Sequence, residues 1–277
     1  MCCKYEHITI EEECVRRIAD CGLRTIPPAA NEAQEEPITM NELLQAIKKG
    51  KVSKVPGREG ICLEFFKETW EFTKQYFLVI VNNMYTYIDG QITDQQKHDI
   101  LLCIPNNSDP ERIWDYRPLT LLNSDYKLLT RIIANRMGPW MTNITQWSQH
   151  CGPHGNTIFD AAAAIRDVVA YAEISGPPLC VLSIDFKDAF HKISHNYLFE
   201  LLRIYGFSER FQQRIKGVYD RVTSSIQING HRSHPTPITI SVRQGCPLSI
   251  LLFALCLNPL IRTLEQNLTG IQIGSQP

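Results

Sequence analysis

The sequence lacks an excess of either charge. Its 277 residues include 28 Lys and Arg against 29 Asp and Glu, which gives a formal net charge of −1. The broad basic field of many nucleic-acid binders is therefore not indicated. Residues 1–36 hold eight acidic and four basic residues, so the remaining 21 acidic and 24 basic residues give +3. This mild imbalance does not by itself identify a partner.

The sequence also lacks the marks of several other protein classes. Its ten cysteines include no C-x-x-C pair, and no secretory leader is recognisable, so we expect reduced thiols in the nucleus or cytoplasm rather than a secreted disulfide framework. The apolar, uncharged run 244–261 is interrupted by Pro247 and Pro259, which favours a buried helix over a membrane span. The glycine-containing loop 55–60 lacks the Gly-Lys-Ser/Thr ending of a P-loop.

The first part of the chain predicts a linker followed by helices. Residues 1–36 are acidic and poor in large apolar side chains, so we expect a poorly ordered linker with a boundary near Pro37. Thr39 and Glu42 have the spacing of a capping box and predict a helix after residue 39. Apolar residues at helical spacing predict further helices over 123–137 and 157–172.

The second part of the chain mixes strands and helices. Short strands are predicted over 100–105 and 179–185, and alternating residues predict a hairpin formed by 224–230 and 236–242. Helices are predicted after Ser194 and over 247–266. Helices that alternate with isolated strands and a hairpin indicate an α+β fold.

Asp185 is the strongest candidate for chemistry, because a carboxylate that ends an apolar strand is costly unless it is used. Carboxylates at strand ends hold the two Mg²⁺ ions of nucleotidyl transferases. Asp188 is open to two interpretations, a second metal ligand or a helix cap with a solvated neighbour. His191 and His195 have a zinc-compatible spacing, but the residues around them do not otherwise fit a zinc site.

Three segments resemble a known family. The segment 182–207, with the sequence LSIDFKDAFHKISHNYLFELLRIYGF, is similar to the first catalytic motif of reverse transcriptases, especially those of LINE-type (non-long-terminal-repeat) retrotransposons. The segment 116–137, which begins YRPLTLL, resembles their fingers motif, and 241–262, which begins SVRQGCPLS, resembles the motif that follows the first catalytic one. Weaker similarities at 38–67 and 148–172 occur in the same order as in the family.

The resemblance implies a right-hand polymerase with fingers and a partial palm. Residues 37–150 would form the pre-fingers and fingers, and residues 151–277 the partial palm. Such an enzyme extends a DNA primer on an RNA template, using deoxynucleoside triphosphates and two Mg²⁺ ions. The implied site residues are the metal ligand Asp185, the main-chain carbonyl of Phe186 beside the metal, and a nucleotide pocket made by Arg117, Phe190, Gln244 and Gly245. Phe190 would be the steric gate against a ribose 2′-hydroxyl.

The sequence departs from the family in ways that bear on activity. The aromatic-x-Asp-Asp motif that supplies the other catalytic carboxylates is absent, as is a thumb, so we expect an incomplete palm that does not hold both metals and is inactive alone. His191 replaces a usual Asp, and Glu59 another. The alternative is a noncatalytic remnant or a domesticated domain that binds nucleic acid or protein. An exposed palm edge at 179–185 is expected to promote self-association.

Overall fold

A computed structural model describes residues 12–86, 92–112, 115–152, 157–175, 180–186 and 189–269. Within these ranges the elements form a mixed α+β fold, as predicted. The helices are α1 (Glu12–Asp20), α2 (Pro28–Glu35), α3 (Met40–Lys48), α4 (Leu63–Glu68), α5 (Trp70–Thr86), α6 (Asp94–Lys97), α7 (Ser124–Ile144), α8 (Ile158–Ser175), α9 (His195–Ile204), α10 (Glu209–Tyr219) and α11 (Ser249–Asn267). The strands are β1 (His98–Pro105), β2 (Tyr116–Leu121), β3 (Thr223–Ile228), β4 (His231–Arg232) and β5 (Thr236–Pro237).

Helix α7 lies at the centre of the hydrophobic core. It buries twelve of its residues, including Leu128, Ile132 and Met141, and contacts α2, α3, α5 and α11. The apolar stripe predicted over 123–137 is therefore confirmed, and the helix continues about two turns further, to Ile144. The core cluster runs from Ile26 to Cys256 and includes residues on both sides of position 150. The proposed division into fingers and partial palm is thus not marked by two separate cores.

The capping box before α3 is confirmed. Thr39 Oγ1 accepts a hydrogen bond from Glu42 N at 3.2 Å, and Glu42 Oε2 accepts one from Thr39 N at 2.9 Å. Glu42 also pairs with Arg136 in α7, with 2.5 Å between Oε1 and Nε. The cap therefore fixes where α3 begins and ties α3 to the central helix.

The prediction of a linker is wrong for residues 28–35, which form α2. Ala30 and Gln34 of this helix are fully buried. Asn31 Nδ2 donates to Gly206 O at 2.8 Å, and Asn31 Oδ1 accepts from Ser208 N at 2.9 Å. Small and polar residues are typical of a linker. Here the small residues allow close packing against α7 and α10, and the side chains of Asn31 and Glu35 bond other parts of the chain.

The strands form one sheet in the order β2-β1-β3-β4, and β5 also pairs with β3. β1 and β2 are antiparallel, with Ile104 opposite Arg117, whereas β1 and β3 are parallel, with Asp99 opposite Ser224. The predicted strand 100–105 is confirmed within β1. This sheet carries the side chains that line the candidate site.

The predicted hairpin of 224–230 with 236–242 is only partly correct. β3 pairs with β5 at Ser224–Thr236, but β5 has two residues. Pro237 lacks the N–H that would extend the ladder, and the chain then leaves the sheet, so that Ile240 forms an isolated bridge with Ser194. The residues expected to end a strand instead contact the start of α9.

The predicted strand 179–185 is not formed over its described residues. Positions 180–186 carry no regular secondary structure, and Leu182 is 78% exposed. An apolar run becomes a buried strand only where a neighbouring strand and a covering layer are present, and no described strand pairs with it. The burial argument for Asp185 therefore does not hold in this structure.

The two late helices agree with the sequence. α9 begins after Ser194, buries Leu198, Leu201 and Leu202, and is followed by Gly206 at a φ of +78°. The apolar run 244–261 contributes α11, which starts at Ser249 and packs against α7 and α9. None of the helices in the described ranges has the length and hydrophobicity needed to cross a bilayer.

Candidate functional site

The structure brings together two segments that are about fifty residues apart in the sequence. A 3₁₀ turn at Ala189–Lys192 and the following residues lie against residues 240–242. Val242 N donates to Phe190 O at 2.9 Å, and Ser241 N donates to Ile193 O at 2.8 Å. Phe190 and the Gln244–Gly245 pair were all predicted to line a nucleotide pocket. These hydrogen bonds therefore bring the two segments that carry them close together in the fold.

The side chain of Phe190 is half-buried and supported from behind. Its ring stacks on that of Phe253 in α11, with centroids 4.8 Å apart and planes inclined by 16°. A ring held in this way has little rotational freedom. The packing is compatible with the rigid surface that a steric gate requires.

Asp185 and Phe186 lie on the exposed segment 180–186. Asp185 forms no hydrogen bond or ion pair with any described residue. Asp188, whose role the sequence leaves open, is outside the described residues, as is the step of the chain that joins Phe186 to the 3₁₀ turn. Across the described ranges no three His, Cys, Asp or Glu side chains form a group that could hold a metal ion.

Residues 243–246 form a turn whose outer side is exposed. Gly245 has a φ of +86°, a left-handed conformation that strains other residues, and a Cβ at this position would lie 3.5 Å from Thr120 O in β2. Gln244, next to it, is exposed and makes no side-chain hydrogen bond within the described chain. The positive φ therefore favours glycine at this position, and the glutamine amide remains free to bind.

A cleft of about 350 Å³ opens on one side of this turn. We call it the polar cleft. Its lining combines β1, β2 and β3 with the 3₁₀ turn and the segment 237–244. The polar side chains among the lining residues are Asp99, Thr120, His191, Ser224, Thr239, Ser241, Arg243 and Gln244. A polar ligand of moderate size is the kind this lining would accept.

A buried ion pair lies beneath the polar cleft. Arg243 Nη2 is 2.6 Å from Asp99 Oδ2, and the two side chains are 3% and 4% exposed. The guanidinium also donates to Lys97 O at 2.9 Å and lies 4.5 Å from the centroid of the Tyr126 ring. Burial alone would lower the pKa of Arg243, but Tyr126 and Asp99 raise it above its ordinary value. Arg243 is therefore cationic throughout the physiological range.

A larger groove of about 660 Å³ lies on the other side of Thr120 and Gly245. We call it the basic groove, because its lining includes five cationic side chains, those of Lys49, Lys51, Lys54, Lys127 and Arg131, and no carboxylate. Burial lowers the pKa of both Lys127 and Arg131. Such a groove attracts polyanions.

Arg117 lies on β2, exposed and opposite Ile104. Its side chain makes no hydrogen bond or ion pair with the described residues, so the guanidinium is available to a ligand. Arg117 lines neither the polar cleft nor the basic groove, although Thr120 of the same strand borders both. Its predicted contact with a triphosphate remains a prediction.

His195 has a structural role. Its Nε2 hydrogen-bonds to Ser241 O at 2.9 Å, and its ring packs against Tyr219 with centroids 5.2 Å apart. Burial lowers its pKa, which the Ser241 carbonyl only partly offsets. The histidine thus joins the start of α9 to the turn segment, and only His191 of the two histidines lines the polar cleft.

Sequence reasoning missed Asp99, Arg243 and the basic groove. Arg243 immediately precedes the Gln-Gly pair, and that position was the one available signal. Asp99 stands in an apolar strand, where it was unremarkable until a partner 144 positions away was known. The cationic residues of the groove come from α7 and from the loop between α3 and α4, and their convergence depends on tertiary packing.

Comparison with known proteins places this sequence in a family. The family model described as "Reverse transcriptase (RNA-dependent DNA polymerase)" matches residues 104–274, more than half of the chain. The "Transposon TX1 uncharacterized 149 kDa protein" of Xenopus laevis is 31% identical over 90% of this chain and 19% of its own length.

Two further relatives are from Drosophila melanogaster. The "Probable RNA-directed DNA polymerase from transposon BS" is 25% identical over 79% of this chain and 24% of its own. The "Retrovirus-related Pol polyprotein from type-2 retrotransposable element R2DM" is 25% identical over 62% and 16%, respectively. The chain thus spans about a quarter or less of the length of these relatives. It belongs to the reverse transcriptase family, in the branch found in LINE-type retrotransposons.

Proposed function

We propose that this chain is part of an RNA-directed DNA polymerase that, in the whole protein, adds deoxynucleotides to a DNA primer on an RNA template. The observation that carries the proposal is the backbone junction of Val242 N with Phe190 O, which joins the two motif segments beside the sheet. A half-buried aromatic ring, a free glutamine amide and a glycine at positive φ then share one region. A nucleotide pocket requires a shaped apolar wall and a few well-placed polar groups.

Each predicted site residue has a role in this proposal. Phe190 would pack under the sugar and reject a 2′-hydroxyl, because a fixed ring occupies the space of the extra oxygen. Gln244 and Gly245 would line the nucleotide pocket, and Arg117 would contact the triphosphate through its planar donors. Asp185 would be the first metal ligand, with the carbonyl of Phe186 beside the metal.

Magnesium is the metal that the family implies, with two ions in the intact enzyme. Mg²⁺ prefers carboxylate oxygens and water, and the exposed, unpaired Asp185 suits one such contact. The described residues alone do not build a two-metal site, because they bring no second and third ligand to it. We therefore assign Asp185 to metal binding and derive no step of the reaction through the metal.

The basic groove is the part of the chain best suited to the RNA template and DNA primer. Five cations without a carboxylate give it a local positive field that the net charge of −1 conceals. Phosphate contacts of this kind carry most of the salt-dependent affinity for nucleic acid. The groove also borders Gly245, so that a strand bound there would pass beside the proposed nucleotide pocket.

A noncatalytic domain that binds nucleic acid is the second candidate. Its support is the neutral total charge and the single described carboxylate at the proposed metal site. This candidate would use the basic groove without the pocket. In either case we propose a nuclear or cytoplasmic location, since the seven cysteines whose side chains the structure describes, from Cys21 to Cys256, are unpaired thiols.

Nucleotide binding separates the two candidates. Titration of the 277-residue chain with a fluorescent deoxynucleoside triphosphate and Mg²⁺ should give saturable binding that Gln244→Ala weakens about tenfold, a loss of about 1.4 kcal/mol. Gln95→Ala is the matched control, because Gln95 is exposed and lines neither the polar cleft nor the basic groove. Equal affinities for the two variants, or no nucleotide binding by a folded chain that still binds RNA, would support the noncatalytic candidate.

Nucleic-acid binding is tested through its salt dependence. Lys51→Gln and Lys54→Gln should each weaken binding of a primed RNA template and reduce the slope of log affinity against log salt by about 0.7 to 0.9. Lys74→Gln serves as the control, since Lys74 is outside the groove and pairs with Glu71. Unchanged slopes for the two groove variants would exclude the groove as the binding surface.

A further inference from the structure

The free energy of folding does not by itself explain the buried Arg243–Asp99 pair. Both side chains are at least 96% buried, and Asp99 Oδ1 and Arg243 Nη1 have no hydrogen-bond partner in the described structure. The desolvation cost of such a pair rivals its Coulombic gain, so that apolar replacements of similar volume are often neutral or stabilising. Stability alone therefore does not account for the pair.

The position of the pair suggests what it does. Asp99 is fixed within the sheet, because its strand β1 is paired with β2 on one side and with β3 on the other. Arg243 opens the turn that carries Gln244 and Gly245. The Arg243 guanidinium bonds both the Asp99 carboxylate and Lys97 O, two groups that are two residues apart in the chain.

Bonds on the flanking residues, from Val242 N to Phe190 O and from Ser249 N to Cys246 O, hold the two ends of the turn. Cys246 N donates to Arg243 O at 3.1 Å, whereas the side chain of Gln244 bonds nothing in the described structure. The ring of Tyr126 supports the guanidinium from the side at 4.5 Å. The planar fork of an arginine, held at three places, sets both the position and the orientation of its own backbone.

We propose that Arg243, through its ion pair with Asp99, is a positioning residue that holds the Gln244–Gly245 turn against the sheet in the orientation required to bind a nucleoside triphosphate. This inference rests on the proposed function, to which it adds a residue that acts through others. It predicts that the geometry of the turn and the affinity for nucleotide depend on the pair more than the stability of the fold does.

The test replaces both members of the pair with apolar residues of similar size, as Asp99→Leu with Arg243→Met. The melting temperature should remain within about 5 °C of the wild-type value, since apolar replacement of a buried pair is close to neutral. Amide exchange at Cys246, measured by hydrogen–deuterium exchange, should become at least about tenfold faster, because its acceptor is on the released residue. The Kd for a fluorescent deoxynucleoside triphosphate should rise at least about tenfold.

Arg214→Met provides the matched control. Arg214 is also buried over a tyrosine ring, 4.1 Å from the Tyr85 centroid, and it donates to three backbone carbonyls. That variant should lower the melting temperature without changing exchange at Cys246 or the Kd for nucleotide. If the apolar double variant does not fold, Arg243→Lys replaces it. Lysine keeps the charge but loses the fork, so exchange and Kd should again rise.

The two readouts separate this inference from the proposed function. A wild-type chain that binds no nucleotide refutes the proposed function, and exchange at Cys246 then decides the positioning role alone. Wild-type exchange in a folded pair variant overturns the inference whatever the nucleotide result. Faster exchange with unchanged nucleotide affinity also overturns it, because the pair would then hold the turn without serving the pocket.

Discussion

The ring of Phe190 lies in a stack with that of Phe253, with centroids 4.8 Å apart. The stack joins the proposed steric gate to α11, so the gate should lose rigidity when its support is removed. Phe190→Val should raise the affinity for a ribonucleotide relative to the matching deoxynucleotide by about tenfold, and should destabilise the fold by about 1–3 kcal/mol. Competition binding and urea denaturation measure the two effects.

Phe253→Leu is the control for this prediction. It removes the stack, worth about 0.5–1.5 kcal/mol beyond area burial, but leaves the ring at position 190. We expect a similar loss of stability and a smaller change in sugar preference. If the two variants alter sugar preference equally, the ring of Phe190 is not the group that contacts the sugar.

Gly245 tests the left-handed backbone conformation of the turn beside β2. Gly245→Ala places a side chain at a φ of +86° and a Cβ 3.5 Å from Thr120 O. We expect a loss of about 1–2 kcal/mol in the free energy of unfolding, together with weaker nucleotide binding. Gly60→Ala imposes the same kind of strain at a φ of +71° with nothing within 4 Å. It should therefore lose comparable stability while its nucleotide affinity stays at the wild-type level.

These variants depend on features that differ in how far the sequence reveals them. The capping box of Thr39 and Glu42 and the stripe along α7 were predictable, because helix signals are local and periodic. Residues 28–35 were not, since Ala30 and Asn31 form a helix only through contacts with segments far along the chain. For 179–185 the apolar run indicated a strand, but local sequence does not specify whether a neighbouring strand exists to pair with it.

The site shows the same division. The Gln-Gly pair and Phe190 were identified through the family resemblance, which places them by order along the chain. The ion pair of Asp99 with Arg243 depends on how β1 and the turn meet, and one sequence contains no signal for that distance. The candidate residues were therefore available from the sequence, whereas the device that positions them required the fold.

Stability should fall on mild acidification because of His195. Burial lowers its pKa below the ordinary value of 6.5, so between that value and the folded-state pKa the unfolded chain binds a proton that the folded chain does not. The stability contributed by the neutral form is thus present above about pH 6.5 and is lost as the pH falls through the folded-state value. Denaturant unfolding at pH 7.5 and 5.5 measures the difference.

The matched variant for this pH dependence is His195→Gln, whose amide still donates to Ser241 O but does not titrate. The stability of the variant should change less between the two pH values than that of the wild type. His98, whose pKa burial also lowers, adds a dependence of the same sign that persists in the variant. Identical slopes for the wild type and His195→Gln would show that His195 is not the titrating group.

Glu59, in the loop between α3 and α4, caps the start of α7. The fold should become more stable when the side chain at this position carries no charge. Its Oε1 accepts from Ser124 N at 2.5 Å, but Oε2 is buried without a partner, and burial raises its pKa above 4.5. The charged form is thus disfavoured in the fold, and stability falls as the pH rises from 4.5 through the folded-state value. Glu59→Gln keeps an acceptor and should be as stable as the wild type or more so at pH 7. Glu59→Ala should lose about 0.5–2 kcal/mol, as cap removal does.

The exposed apolar residues near Asp185 should make the isolated chain self-associate. Leu182 and Ile184 are 78% and 61% exposed on the segment 180–186, which uses no backbone pairing with the described strands. An exposed apolar segment that pairs with no described strand offers both an apolar contact surface and a template for a strand from a second copy. We therefore propose association through this part of the partial palm, which a light-scattering measurement of the chain at several concentrations would detect.

Leu182→Lys with Ile184→Lys should lower the average mass, because charges on such an edge oppose pairing. Phe72→Lys with Tyr76→Lys on α5, where the two rings are 83% and 77% exposed, provides a control of equal charge that adds no charge to the segment. Reduced association in the α5 variant alone would move the contact surface to that helix, and a wild-type chain that stays monomeric at all concentrations would refute the proposal.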